Sequence, residues 1–106
     1  MLYDMNLKID DLVIERDRSE HIAKHKVTIK EAKEIVIGDY VYIKGKLGRW
    51  LLIGKTRKRR FLTVVVGERG KADTYGLITA RPSSKEERSF YLEFTLTQGG
   101  EENGKN

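Results

Sequence analysis

The sequence predicts a single α+β domain in which three helices pack on an antiparallel sheet of four strands. Two observations support this class. Apolar residues recur with the 3.6-residue period of a helix over residues 17–38, whereas residues 40–81 follow a period near two and are rich in β-branched and aromatic side chains. The length of 106 residues suits about one hydrophobic core. We therefore expect two N-terminal helices, four strands and a C-terminal helix, within one domain spanning residues 1–95.

Three helix starts are predicted from a repeated local pattern. A serine, threonine or aspartate followed three positions later by glutamate predicts a capping box, in which each residue satisfies a backbone N–H of the other. The pairs are Asp17 with Glu20, Thr28 with Glu31, and Ser83 with Glu86. The first helix is expected to end near His25, and Gly38 is expected to stop the second.

Four strands are predicted near residues 40–44, 49–54, 60–67 and 73–81. The gaps between them have the length of hairpin loops, so the strands should pair in sequence as an antiparallel meander. Residues 1–16 fit either an N-terminal arm or a short strand, and residues 92–97 fit either a helix or a strand. Residues 96–106 are predicted to form a flexible tail.

The composition excludes several classes of function. The sequence contains no cysteine, which excludes thiol catalysis, disulfides and thiolate zinc sites. Its apolar runs are far too short to span a membrane and the N-terminus lacks a signal-peptide pattern, so no membrane association and a cytoplasmic location are expected. A phosphate-cradling glycine loop and a nucleophile elbow are also missing, which argues against small-molecule catalysis.

Positive charge is concentrated in one segment of the chain. The formal net charge is +5, yet residues 40–67 hold eight basic residues and no acidic one. Such segregation creates a positive field that attracts polyanions such as nucleic acid. We expect the two hairpins of this segment to form one positive patch together with Arg81. A basic hairpin that is merely solvated is the alternative.

Four short segments follow one another in a recognisable order and spacing. They are residues His21–Val36, Gly48–Thr56, Arg60–Val66 and Ile78–Tyr91. This series resembles the BrnT-like toxin family, whose members are RelE-like ribonuclease toxins of type II toxin–antitoxin systems, and it covers roughly residues 20–92. The sequence departs from the family at Lys26 and Arg59, where the family usually has glycine.

The resemblance implies a RelE-like fold and a ribonuclease that inhibits translation by cutting RNA. It also implies a cognate antitoxin, ribbon-helix-helix-like, and either a homodimer or a toxin–antitoxin heterotetramer. No cofactor is expected. Two other functions stay open from the residues alone: a nucleic-acid-binding module without catalysis, and a protein-interaction module with a basic surface.

Metal-independent RNA cleavage requires a base for the 2′-hydroxyl, cations for the phosphorane and an acid for the leaving oxygen. The candidate catalytic residues are Arg81, Arg60, His25 and Tyr91. Arg81 is expected where the last strand ends, although a salt bridge with Glu87 would equally explain it. For the others the alternatives are an exposed strand-end charge at Arg60, a structural helix-end role for His25 and a core position for Tyr91.

The candidate RNA-binding residues are cations that can contact phosphate groups. They are Arg49, Lys55, Arg57, Lys58, Arg59 and Arg88. His21 and His25 have the i, i+4 spacing of a zinc pair, but no third ligand is evident from the sequence, so no metal site is predicted.

Overall fold

The computed structural model describes the backbone of residues 7–103 and the side chains of residues 7–96. Within these residues the chain forms five strands and three helices. In order they are β1 (Asp11–Val13), α1 (Arg18–Ala23), α2 (Ile29–Ile37), β2 (Tyr40–Lys44), β3 (Arg49–Lys55), β4 (Phe61–Glu68), β5 (Thr74–Pro82) and α3 (Lys85–Asn103). The predicted α+β class and the predicted order of helices and strands are confirmed, and β1 is the short strand that the sequence offered as one alternative for residues 1–16.

The sheet is mixed and has the strand order β1-β5-β4-β3-β2. Strands β2 to β5 form the predicted antiparallel meander. Strand β1, however, pairs in parallel with β5, from Asp11 opposite Thr74 to Val13 opposite Gly76. The prediction of four strands, all antiparallel, is therefore wrong on both counts. A strand of three residues has too short a pattern to reveal its partner, and β1 is held by tertiary packing of Leu12 against the core.

The first two predicted capping boxes have opposite outcomes. At α2 the box forms, because the N–H of Glu31 donates to Thr28 Oγ1 (3.1 Å) and the N–H of Thr28 donates to Glu31 Oε1 (3.0 Å). At α1 the predicted box is absent, since the side chain of Asp17 makes no bond to the helix backbone. Its carboxylate instead accepts two hydrogen bonds from the guanidinium of Arg18, at 3.2 and 3.1 Å.

The third capping box forms one residue later than predicted. The N–H of Ser84 donates to Glu87 Oε1 (2.8 Å), and the N–H of Glu87 donates to Ser84 Oγ (3.1 Å). The predicted N-cap, Ser83, is buried, and its hydroxyl lies 2.8 Å from that of Thr63 on β4. A tertiary hydrogen bond therefore outweighs the local pattern in choosing which serine caps the helix.

Helix α3 is longer than the sequence indicated. It continues to Asn103, so residues 92–97 are helical rather than extended. Residues 96–103, which were assigned to a flexible tail, are also helical in backbone conformation. Residues 104–106 of that tail, and residues 1–6 of the predicted arm, lie outside the described residues.

The sheet has apolar clusters on both faces. Helices α1 and α2 cover one face with the buried side chains of Ile22, Ala32 and Ile35, which pack against Leu52, Leu62, Val64 and Ala80 of the sheet. On the other face Tyr91 of α3 packs against Val41, Ile53 and Phe61. Among the described residues, no helix is long and apolar enough to cross a membrane.

The two positions that depart from the family pattern have left-handed backbone conformations. Lys26 has φ 62° and Arg59 has φ 69°. A left-handed conformation costs a residue with a Cβ about 1–2 kcal/mol, whereas glycine adopts it without this steric cost. Both residues close turns, because the N–H of Lys26 donates to the carbonyl of Ala23 (2.9 Å) and that of Arg59 to the carbonyl of Thr56 (2.8 Å).

We predict that Lys26→Gly stabilises the protein by about 0.5–1 kcal/mol, since relief of the left-handed strain exceeds the entropy cost of glycine. The control is Lys24→Gly, two residues earlier at a right-handed position with φ −63°. That variant should destabilise by roughly 0.5–1 kcal/mol. Urea unfolding of the three proteins measures both changes, and equal effects at the two positions would contradict the assignment of strain to Lys26.

Candidate nucleic-acid interface

Most of the candidate residues lie at one end of the sheet. At this end β3 ends at Lys55, β4 begins at Phe61 and β5 ends at Pro82, and we call it the Arg81 end. The N–H of Ser83 donates to the carbonyl of Phe61 (3.2 Å), which holds the start of α3 beside the start of β4. The β3–β4 turn, residues 56–60, projects from the same end.

Arg81 forms a two-pronged ion pair with Glu87. Its Nη1 and Nη2 donate to Glu87 Oε1 and Oε2, each at 2.8 Å, and the two side chains are 35% and 13% exposed. The salt bridge that the sequence offered as the alternative role for Arg81 is therefore present. An arginine has five N–H donors. Nη1 also donates to the carbonyl of Pro82, at 3.5 Å. The Nε–H of Arg81 and one N–H of Nη2 make no hydrogen bond with a described residue.

The carboxylate of Glu87 is bonded from three directions. Besides Arg81 it accepts the hydroxyl of Thr63 (2.8 Å) and the N–H of Ser84 (2.8 Å). The Arg81 guanidinium, assisted by these two donors, lowers the pKa of Glu87 from 4.5 to about 2. The hydrogen bonds between Arg81 and Glu87 also raise the pKa of Arg81 above its ordinary value. Both groups are thus charged throughout the physiological pH range.

Arg60 lies on the opposite face of the sheet from Arg81. Its Nη1 donates to both carboxylate oxygens of Glu31 on α2, at 3.0 and 3.1 Å. Burial alone would raise the pKa of Glu31, but the N–H of Thr28 and the guanidinium of Arg60 lower it. The structure therefore places the two arginines in separate ion pairs against separate helices and does not bring them together around one ligand.

Two histidines lie along the outer edge of β5, where α1 packs beyond the short strand β1. His21 Nε2 is 3.1 Å from the hydroxyl of Thr79, and the rings of His21 and His25 meet edge to face with their centroids 6.0 Å apart. Arg18 fixes α1 at this edge by donating to the carbonyl of Ile78 (2.6 Å). His25 is exposed and His21 is half-buried.

Thr79 connects the histidines to Arg81. Thr79 and Arg81 are two residues apart on β5, opposite Val65 and Thr63 of β4, so their side chains leave the same face of the sheet about 7 Å apart. His21 was considered in the sequence only as half of a zinc pair. Its position beside Thr79 depends on how α1 docks on β5, which no local pattern in the sequence encodes.

Tyr91 lies on the same face of the sheet as Arg81, but toward the β2 edge and away from the histidines at β5. It is 9% exposed, and its ring contacts that of Phe61 edge to face at a centroid distance of 5.4 Å. Burial, together with the charge of Asp39 just before β2, raises the pKa of its hydroxyl. The described contacts of Tyr91 are thus with β2, β3 and β4, which matches the core position offered as its alternative role.

The other cations divide between the two ends of the sheet. Arg57, Lys58 and Arg59 are exposed in the β3–β4 turn, and the Nζ of Lys55 lies 5.5 Å from the ring centroid of Phe61. Arg88 is close by on α3 and donates to the carbonyl of Ser83 (2.8 Å).

Arg49 begins β3 and is therefore about 20 Å from Lys55 along the strand. The two hairpins of the basic segment end at opposite ends of β3. The expectation that both hairpins and Arg81 form one positive patch is wrong, because consecutive hairpin turns of a meander must lie at opposite ends of their shared strand. Over the described residues, no three histidine or carboxylate side chains form a group that could hold a metal ion.

The fold and the Arg81 end together define a small basic α+β protein with cations gathered at one end of a sheet. No family model matches the sequence, and no curated protein matches it. Among solved structures, the chain is similar to the ribonuclease toxin BrnT of Brucella abortus, with a TM-score of 0.55 and 18% sequence identity. The match covers 76% of this chain and 100% of that chain. This protein therefore has a BrnT-like fold, as the four sequence segments indicated.

We predict that Glu87→Gln removes a pH-dependent part of the stability. The folded-state pKa of Glu87 is depressed to about 2, so its contribution to stability is complete above 4.5 and is lost as pH falls toward 2. Glu87→Gln should therefore be less stable than the parent at pH 6, and the difference should shrink between pH 4.5 and 2. Urea unfolding at a series of pH values measures it.

Glu86→Gln is the matched control for this measurement. Glu86 is exposed one residue earlier in the same helical turn, and its substitution changes the net charge by the same amount. Its stability should follow the parent at every pH. If the Glu87→Gln and parent curves run parallel down to pH 2, the Arg81 pair does not stabilise the charged form of Glu87.

Proposed function

We propose that this protein is the ribonuclease toxin of a type II toxin–antitoxin pair, which binds RNA at the Arg81 end and cleaves it without a metal ion. The fold supports the proposal, because the similar Brucella protein is a ribonuclease toxin. The observation that carries it is that Arg81, clamped by Glu87, lies on the same sheet face as Thr79, which His21 contacts. The ring of His25 in turn meets that of His21.

The proposed reaction is a transesterification, in which the phosphoryl group is transferred from the 5′-oxygen of the next nucleotide to the neighbouring 2′-oxygen. One imidazole accepts the 2′ proton, the 2′-oxygen attacks phosphorus, the bond to the 5′-oxygen breaks, and the second imidazole returns a proton to that oxygen. The products are a 2′,3′-cyclic phosphate and a 5′-hydroxyl. The two remaining N–H donors of Arg81 stabilise the negative charge of the phosphorane. His21 and His25 are the proton-transfer groups, whereas Tyr91 has a structural role.

Lys55, Arg57, Lys58, Arg59 and Arg88 attract the RNA strand to this end and contact its phosphates. The proposed protein partner is a ribbon-helix-helix-like antitoxin that covers the same end. A positive surface attracts an acidic protein as it attracts RNA, so a single docking event neutralises the toxin by exclusion.

A second function, RNA binding without cleavage, is favoured by one observation. The carboxylates of Glu31 and Glu87 already form ion pairs with the guanidinium groups of Arg60 and Arg81. If those pairs persist in the complex, the two arginines hold the fold and the remaining cations suffice to bind RNA. The two functions differ in whether RNA is cut.

We predict that Arg81→Lys lowers the rate of RNA cleavage about a hundredfold, equivalent to about 3 kcal/mol of lost transition-state stabilisation. Lysine keeps the charge and one contact to Glu87, so the fold is retained. It lacks the Nε–H and the second Nη2 N–H that the guanidinium would donate to the phosphorane. Cleavage of labelled RNA in the presence of EDTA, and growth arrest on expression without antitoxin, are the measurements. Circular dichroism verifies folding.

Arg49→Lys at the opposite end of the sheet is the control for Arg81→Lys and should cleave RNA like the parent. A folded Arg81→Lys protein with parental activity removes Arg81 from the mechanism. A parent that binds RNA without cutting it supports the binding module, and a parent that does neither overturns RNA as the ligand.

We further predict that substituting either His21 or His25 by asparagine lowers the rate of RNA cleavage, because the proposed step needs one imidazole to accept a proton and the other to donate one. The rate of cleavage of labelled RNA by each folded variant is the measurement. Parental rates in both variants would assign proton transfer to other groups.

A further inference from the structure

An open groove of about 780 Å³ lies between α2 and the β3–β4 turn. It is on the face of the sheet that α1 and α2 cover, opposite the face of Arg81. Its charged or exposed lining residues are Lys30, Lys33, Glu34, Ile37, Lys55 and Arg57. The groove therefore has four cations and one carboxylate on its walls. None of the described residues that line it is aromatic.

The positive charges of this groove are not neutralised within the protein. In the part of the chain that the structure describes, the side chains of Lys30, Lys33 and Arg57 make no ion pair or hydrogen bond. The carboxylate of Glu34 accepts the backbone N–H of Arg57 (3.0 Å), which ties the turn to α2 without using the guanidinium. Arg60 and Arg81, by contrast, are both paired with glutamates.

The groove is continuous with the Arg81 end. Ser83, at the start of α3, is bonded to the backbone of Phe61, and the ammonium of Lys55 lies over the ring of Phe61. Lys55 leads into the β3–β4 turn, and the turn is bonded to Glu34 of α2. A chain of contacts thus runs from the Arg81 face, around the end of the sheet, into the groove.

Arg59 in this turn supports a role for the exposed cations. Its φ of 69° is a conformation that glycine would adopt without strain, yet the position holds an arginine whose side chain is exposed. Residues in such sparsely populated backbone conformations are enriched at ligand-binding sites. Arg59 and Lys58, both exposed in the turn, add to the unpaired charge of Arg57.

We infer that this groove binds the sugar-phosphate backbone of single-stranded RNA on one side of the cleaved bond, an inference that rests on the proposed ribonuclease function. Lys30 and Lys33 are three residues apart on one helix face, so they can contact successive phosphates of a strand that runs along α2. Because the groove has no aromatic ring on which a base could stack, its contacts are with phosphates and are independent of sequence. Ile37, which is 81% exposed, lies beside the sugars.

The test compares oligonucleotides of two lengths bound to the intact protein. The probes are 2′-O-methyl oligouridylates of 3 and 12 nucleotides, which cannot be cut by attack of a 2′-hydroxyl. The variant Lys30→Gln/Lys33→Gln removes two exposed charges from the groove and leaves Arg57 unchanged, because Arg57 also belongs to the RNA-binding surface of the Arg81 end. The control variant Lys46→Gln/Lys71→Gln removes two lysines, both exposed, from other surfaces.

The parent should bind the 12-mer more tightly than the 3-mer, and the groove variant should lose this advantage. The slope of log affinity against log salt for the 12-mer should become shallower by about 1.4, since each of the two lost single-strand phosphate contacts contributes about 0.7. Affinity for the 3-mer, and the cleavage rate of a short ribonucleotide substrate, should remain at the parental values. The control variant should retain most of the parental length advantage and salt slope.

Equal losses in the groove and control variants would show a general charge effect and overturn the inference, as would an unchanged salt slope in the groove variant. An oligoglutamate peptide serves as a probe for an acidic protein segment. If the parent binds this peptide more tightly than the 12-mer, and only the groove variant loses that binding, the ligand of the groove is an acidic protein segment and not RNA. A parent that binds neither oligonucleotide would overturn the proposed function itself, whereas a parent that binds both lengths equally overturns only the groove.

Discussion

The carboxylate of Glu87 is the contact on which the Arg81 end depends. It accepts the guanidinium of Arg81 on β5, the hydroxyl of Thr63 on β4 and the N–H of Ser84 at the start of α3. Two strands and a helix are therefore joined at one charged group. Removing one partner of such a pair leaves a half-buried charge without compensation, which costs more than the pair contributes. This single group fixes the orientation of Arg81 and, together with the Ser83–Phe61 hydrogen bond, holds the start of α3 on the sheet.

A glutamate joins a helix start to an arginine of the sheet on the other face as well. Glu31 caps α2 together with Thr28 and also pairs with Arg60 at the start of β4. In both cases the third residue of a helix satisfies the backbone at the helix start and holds an arginine from the sheet. A carboxylate near a helix N-terminus is stabilised by the helix dipole, and this stabilisation favours the charged form that the arginine requires. The two arginines are consequently fixed against different helices, on opposite sides of one sheet.

The local features of the fold were predictable because they depend on residues close in sequence. The capping box of Thr28 and Glu31 is complete within four residues, and the meander follows from short gaps between strands. The choice of Ser84 over Ser83, by contrast, depends on the hydroxyl of Thr63, which lies on a different strand. The parallel pairing of β1 likewise depends on packing that a strand of three residues does not specify.

The candidate site was predictable in its residues and not in its geometry. Arg81 and Glu87 were recognised as a possible pair from the sequence, but only the docking of α1 on β5 brings His21 to Thr79. Whether a cation is free or paired also depends on tertiary contacts. Counting charges along residues 40–67 treats Arg60 and Arg57 alike, although one is held by Glu31 and the other is free in the turn.

Under the proposed function, the distinction between paired and free cations restricts how a phosphate of RNA would be held. A phosphate that displaced Glu87 from Arg81 would also remove the acceptor of Thr63 and of the Ser84 backbone, so two further donors would lose their partner. Displacement is therefore costly, and a phosphate is held more favourably by the N–H groups of Arg81 that face away from Glu87. Arg81 then provides a rigid, directional contact, because its position is set before the ligand arrives. The free lysines and arginines of the turn and of α2 provide the long-range attraction, which is strong at low salt and requires no fixed geometry.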